Sequence, residues 1–199
     1  MKLTLKHAVA AIILVLSFAA PLAAGPFEDA IVAHGRGDYA TALRLMRPLA
    51  NQGLAGAQYN LGQMYLQGQG VPQDNAEGAK WYRLAANRGY ALAQYNLGVM
   101  YAKGSGVPQD DVEAMKWFRL AANQANASAQ YNLGVKYSNG QGVPQDFVRA
   151  HMWYNLAAAQ GNKDAVKNRD RTASRMTQAQ IAEAQKLARE WKPVKPKSQ

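Results

Sequence analysis

The side chains best suited to chemistry are few in this 199-residue chain, and none is spaced for it. Of three histidines, His7 lies in an apolar N-terminal run, and His34 and His151 are far apart. Neither has a second His or a Cys at metal-ligand spacing. The chain has no Cys, which removes disulfides, zinc–thiolate sites and thiol nucleophiles together. No Ser opens a Ser-x-x-Lys string and no Gly-x-Ser-x-Gly occurs, so serine hydrolase signatures are missing. Gly68-Gln69-Gly70 and its later copies lack the third Gly and the Lys of a phosphate-binding loop, and they follow a helical pattern instead of a strand. Asp110-Asp111 with Glu113 gathers carboxylates, but a helix N-terminus attracts such charges for stability alone. His151 reads as an ordinary helix-surface residue, since Ala79 and Met115 hold the equivalent positions. The expectation is a chain with no catalytic residue, no metal and no cofactor, the alternative being an enzyme acting on cell-wall material through a carboxylate pair that folding brings together.

What the sequence does carry is repetition. Three consecutive 36-residue units begin at Ala57, Ala93 and Ala129, and 17 of their 36 positions are identical in all three. Each opens Ala-Gln-Tyr-Asn-Leu-Gly, continues through Gly-x-Gly-Val-Pro-Gln-Asp and closes on Trp-x-x-Leu-Ala-Ala. Each reads as helix, loop, helix. In the first helix Ala57, Leu61 and Tyr65 fall on one face. Gly62 stands inside that helix at a cost of about 1 kcal/mol relative to Ala. Its return at Gly98 and Gly134 predicts a neighbouring helix too close for a Cβ. The loop glycines permit positive φ, and Pro72 disfavours helix at Val71. Asp74, Asp110 and Asp146 are suited to capping the second helix, with Glu77 and Glu113 at the spacing of a capping box. Trp81, Leu84 and Ala85 share a face with their counterparts in later units, so the Trp81, Trp117, Trp153 stripe reads as core.

A single helix pair cannot bury its own apolar face, whereas stacked pairs can. The expected fold is therefore all-α, a solenoid of helix-loop-helix units. Shifted by 36, Asp38 matches Asp74 and Leu45 matches Trp81, so 26–56 reads as a degenerate first unit, followed by 57–92, 93–128 and 129–162. After Gly161 the expected Tyr-Asn-Leu-Gly becomes Lys167-Asn168-Arg169-Asp170, the polar surface a terminal cap requires. Thr177-x-x-Gln180 opens a last helix whose apolar side, Ile181, Ala184, Ala188 and Trp191, should fold back on the array, completing a cap over 163–191. Residues 192–199, with two prolines and three lysines, read as a disordered basic tail.

Residues 1–24 read as a signal peptide: Lys2 and Lys6 precede an uncharged apolar run, and Leu22-Ala23-Ala24 offers small residues for cleavage. The expectation is an exported protein, periplasmic or secreted. Residues 25–162 carry 11 basic and 9 acidic side chains, whereas 163–199 carry 10 basic and 4 acidic. Charge is thus concentrated at the C-terminal end. Export argues against nucleic acid as the partner and makes anionic lipid or glycan the natural contact for Lys186, Arg189, Lys192, Lys195 and Lys197. A solvated end that keeps the chain soluble is the simpler reading of the same charges. An array this short with polar ends is expected to be a monomer.

The strings Ala-Gln-Tyr-Asn-Leu-Gly-x-x-Tyr, Gly-x-Gly-Val-Pro-Gln-Asp and Trp-Tyr-x-Leu-Ala-Ala resemble the Sel-one-like repeat family, relatives of the tetratricopeptide repeats. The resemblance is strong over 55–160 and weak over 26–54. It implies a right-handed superhelix of helix pairs that serves as an adaptor or scaffold for a protein or peptide, with no reaction attached. It further implies a concave face lined by the first helices. Carried over by position, that face holds Tyr59, Asn60, Gln63 and Leu66, then Tyr95, Asn96, Val99 and Ala102, then Tyr131, Asn132, Val135 and Ser138. An Asn amide both donates and accepts, so the Asn row suits an extended peptide backbone, and Tyr adds rigid amphipathic contact area. Two readings stay open for the Tyr and Asn rows: they bind a ligand, or they join one unit to the next. Specificity is expected where units differ, at 63, 66, 99, 102, 135 and 138.

Overall fold

A computed structural model of the protein describes residues 25–194. Those residues form ten α-helices and no strand: α1 (Pro26–Gly35), α2 (Tyr39–Asn51), α3 (Ala55–Gln67), α4 (Asn75–Asn87), α5 (Ala91–Lys103), α6 (Asp111–Asn123), α7 (Ala127–Asn139), α8 (Phe147–Ala159), α9 (Lys163–Ala173) and α10 (Gln178–Glu190). The first eight are four hairpins in sequence, and the second helix of each also packs on the first helix of the next. The array is a solenoid, as the period requires. Its first helices start at Ala55, Ala91 and Ala127, two residues ahead of the identity block. The residues before them, Leu54, Tyr90 and Asn126, differ between units, so identity does not mark the true start.

The loop motif works through its polar side chains as much as through its breakers. Gly68, Gly104 and Gly140 end the first helices in the left-handed region, which only Gly adopts without strain. Gln73, Gln109 and Gln145 then donate to the carbonyls of Leu66, Ala102 and Ser138 at 2.8, 3.2 and 2.7 Å, covering helix ends that lack intrahelical partners. Asp74, Asp110 and Asp146 accept from the backbone N–H three residues on, as expected. The capping boxes do not close, however. The Asp74, Asp110 and Asp146 N–H groups already donate to the carbonyls of Tyr65, Tyr101 and Tyr137. Glu77 and Glu113 therefore have nothing to accept there and pair with Lys80 and Lys116.

The helix glycines meet the predicted close approach. A Cβ at Gly62 would stand 2.7 Å from the Tyr82 ring, at Gly98 2.7 Å from Phe118 and at Gly134 2.5 Å from Tyr154. Each glycine is a notch for an aromatic ring of its own hairpin partner. That aromatic, not the preceding Trp, is the centre of the core. Tyr82, Phe118 and Tyr154 are buried, and Phe118 is the largest side chain in the described chain to be fully so. Trp117 and Trp153 are buried at the edge, and Trp81 is half-buried. Leu84 and Leu120, expected in the core, are 45% and 40% exposed. The buried face is rotated about one residue from the Trp-centred one, because the ring must aim at the glycine.

The C-terminal end closes as anticipated. Thr177 and Gln180 form a full capping box, Ala184 and Ala188 are buried, and α10 packs back on α8. Trp191 stands edge-on to Trp153 with ring centres 6.2 Å apart. Lys192–Val194, assigned from sequence to a disordered tail, have no regular secondary structure, and the Val194 N–H donates to the Asn123 carbonyl at 2.7 Å. The rest of that tail, 195–199, and the signal peptide, 1–24, lie outside the described residues.

Gly98→Ala tests the notch. Helix propensity alone would stabilise it by about 1 kcal/mol, whereas displacing the Phe118 ring from a filled core costs about 1–3 kcal/mol. The expected result in urea unfolding is a net loss, recovered in large part by adding Phe118→Leu. A raised midpoint in the single variant would show that the ring has room.

Candidate functional site

All twelve residues assigned to the ligand-facing row are half-buried, on α3, α5 and α7. Their hydrogen bonds divide them. Asn96 donates to the Tyr59 and Tyr82 hydroxyls, each at 3.3 Å, and Tyr59 stacks on Tyr82 at 5.3 Å. Asn168 donates to the Tyr131 hydroxyl at 3.1 Å. These are joints between neighbouring units. The joint between them is not made. Phe118 replaces the tyrosine there and has no hydroxyl, and Asn132 turns to the carbonyl of Ser128 in its own helix. Asn60, with no such partner before it, likewise bonds Gly56 within its helix. Gln63 donates to Tyr59. Among the described residues the Tyr95 hydroxyl has no hydrogen-bond partner. Burial pushes the Tyr59 and Tyr82 phenols up, and that of Tyr154 up to about 12, so all three remain neutral hydroxyls.

Two further ties run between units that the sequence reading did not assign. Gln58, Gln94 and Gln130 are buried and donate to the carbonyls of Ala50, Ala86 and Ala122 at the end of the preceding hairpin. Gln124 and Gln160 extend this line by donating to the side-chain oxygens of Gln94 and Gln130. In addition Arg47, Arg83 and Arg119 donate to the hydroxyls of Tyr65, Tyr101 and Tyr137, each 18 residues on. The signal was present: those Gln and Tyr positions are identical in all three units, and Arg recurs at a spacing of 36.

Two polar groups are buried where other units carry apolar ones. Lys136, in place of Met64 and Met100, reaches Asp111 at 2.6 Å. His151, read from sequence as a surface residue, is 4% exposed, because α9 covers that side of α8. Burial lowers its pKa, and the positive charge of Arg169 lowers it further. Its Nδ1 has no hydrogen-bond partner, and among the described residues no three His, Cys, Asp or Glu side chains gather as a metal site would require.

One cleft coincides with the predicted row. It has a volume of about 190 Å³ and opens between α7, α8 and α9, where Tyr131, Val135 and Ser138 meet Tyr154, Asn168 and Arg171. The described residues contain no helix long and apolar enough to cross a membrane.

Hairpins stacked at a constant period, joined by repeated polar ties and carrying their variable positions on one row, define an α/α solenoid of the right-handed superhelical kind. Residues 55–90, 91–126 and 127–162 each match the Sel1 repeat. The chain belongs to the Sel1-repeat family, whose members generally act as non-catalytic scaffolds for protein interaction. Two solved structures are similar. One is a protective antigen present in uropathogenic Escherichia coli strains, which displays an SLR fold; it is 38% identical with a TM-score of 0.73, over 82% of this chain and 37% of that one. The other is a Sel1 repeat protein from Oxalobacter formigenes, 33% identical with a TM-score of 0.69, over 72% of this chain and 59% of that one. This chain thus spans less than two thirds of either protein. No curated protein matches it.

The two kinds of polar residue separate by stability. Gln94→Leu removes the buried bond to the Ala86 carbonyl and one of the two bonds made by the Gln124 amide, and should cost about 0.5–1.5 kcal/mol in chemical unfolding. Tyr95→Phe removes an uncommitted hydroxyl and should change stability by less than about 0.5 kcal/mol.

His151 sets a pH dependence. Its folded pKa lies below its unfolded value of about 6.5, so stability is complete above that pH and falls as the unfolded chain takes up the proton first. Unfolding midpoints from pH 7.5 to 5 should decline, and His151→Met should flatten that decline.

Proposed function

We propose that this chain is an exported, non-catalytic adaptor that holds a protein or peptide partner of the cell envelope across the row of its first helices. The observation that carries the reading is the uncommitted middle of that row. Tyr95 and Asn132 repeat the residues that make the joints on either side, yet neither is used in one. A phenol, an amide and the small apolar surfaces of Val99, Ala102 and Val135 offer paired polar contacts to an extended backbone and little charge selection. Family membership supports the same class of role, and a concave surface formed by stacked first helices suits it. Export is supported by the N-terminal sequence. A cut after Ala24 would leave Gly25, the N-cap of α1, as the first residue of the folded chain.

Protein comprising residues 25–199 should capture a discrete partner from cell envelopes, identified by mass spectrometry. Tyr95→Phe combined with Asn132→Ala should weaken that capture at least about tenfold while thermal unfolding stays as in the parent. Wild-type affinity in the double variant would place the partner elsewhere on the molecule. Intact-mass analysis of the chain recovered from cells should give a protein beginning at Gly25. An uncleaved chain in the cytosolic fraction would remove the export step.

A further inference from the structure

The cleft at the end of the row differs in chemistry from the same place in every earlier unit. Arg171 stands where the two preceding junctions have Val135 and Val99, and Ser138 stands where they have Ala102 and Leu66. Asn168 and Tyr154 complete a polar wall, and Asn139 lies at the mouth. No carboxylate lines the cleft. Among the described residues the Arg171 guanidinium makes no ion pair. Its positive charge is felt by Tyr154, whose phenol it holds lower than burial alone would. Arg171 is exposed, but an arginine is not needed here for a soluble end, because Lys167 and Asp170 already supply exposed charge on the same helix.

We infer that the cleft between α7, α8 and α9 is a binding site for one carboxylate group, presented by the C-terminus of a peptide lying along the row. This rests on the adaptor reading above and names the chemical group that ends the partner segment. One guanidinium surrounded by neutral donors matches a single negative charge, and a doubly charged phosphate would remain half-neutralised. The location suits a chain end. The row stops at this cleft, since the next unit has charged residues in place of its apolar face and α10 turns back onto α8. Ser138, like Ala102, is small where the first unit has Leu66, and at Ser138 the row borders the cleft.

The test is an NMR titration of the ¹⁵N-labelled chain 25–199 with N-acetyl-Gly-Ala-Ala as the free acid, the same peptide as its C-terminal amide, and inorganic phosphate. The free acid should shift the resonances of Ser138, Asn139, Asn168 and Arg171, with a Kd of about 1–10 mM. The amide should bind at least about tenfold more weakly, as should the free acid to Arg171→Gln. Arg189→Gln should change nothing. Ser138→Leu, which restores the residue of the first unit, should close the cleft and abolish the shifts. Equal shifts with the amide, equal shifts with phosphate, binding unaffected in Arg171→Gln, or no localised shift would each overturn the site. Failure here with partner capture still dependent on Tyr95 and Asn132 would leave the adaptor reading intact. Acid binding at Arg171 without such capture would keep the site and remove the adaptor reading.

Discussion

The close approach of the two helices in each hairpin governs the rest of the structure. With no Cβ at Gly62, Gly98 and Gly134, the rings of Tyr82, Phe118 and Tyr154 lie directly on the first helix. That contact sets the rotation of the second helix, and the rotation decides everything else about it. Alanines at 85, 86, 121 and 122 turn inward, Leu84 and Leu120 turn outward, and Arg83 and Arg119 arrive beside the tyrosines of the next unit. A bulkier residue at the notch would disturb the joint to the next unit along with its own hairpin, because both depend on one rotation.

Polar groups between units answer a requirement that apolar packing leaves open. Helix ends inside a solenoid face neighbouring helices, and their last carbonyls have no intrahelical donor. The loop glutamines supply those donors within each unit, and the buried glutamines add a bond from the next unit to carbonyls that also accept from a turn N–H. Such bonds contribute little individually but cost much when broken in the interior, so they select one register for stacking. Against this background the unused hydroxyl of Tyr95 and the inward-turned Asn132 are exceptions to a consistent pattern. They follow from a single change, Phe118 in place of tyrosine.

The helix pairs, the loops, the aspartate caps and the returning last helix were legible in the sequence, because each follows from local preferences or from the period, whereas the starts of the first helices were placed two residues late. The notch was legible too, since an interior glycine that recurs needs a steric reason. The edge of the core was misread: Trp117 and Trp153 are buried as expected, whereas Leu84 and Leu120 are exposed. A Trp and a Leu dominate any apolar count, and only the position of the partner glycine reveals that the next aromatic points inward. His151 was misplaced although the period held the answer: Ala79 and Met115, at the same position in the earlier units, are buried as well. The roles within the Tyr and Asn rows were out of reach, because identical residues make joints at some junctions and not at others according to a hydroxyl one helix away. The glutamine line and the Arg–Tyr pairs could have been found by asking what else repeats at 36.

The loop glycines at 70, 106 and 142 give the stack a direction. A Cβ at Gly106 would lie 2.2 Å from the Asn75 carbonyl, and one at Gly142 2.5 Å from that of Asp111. Each loop therefore rests on the helix start of the unit before it, and the buried glutamines also reach backward along the chain. Nothing in these contacts waits for a later unit. A chain delivered N-terminus first, whether from a ribosome or through a translocation channel, presents each new hairpin with the backbone surface on which its loop rests. Only the final surface lacks a successor, and α10 supplies it by doubling back. A chain halted part-way through delivery would thus already present the carbonyls that its next hairpin bonds.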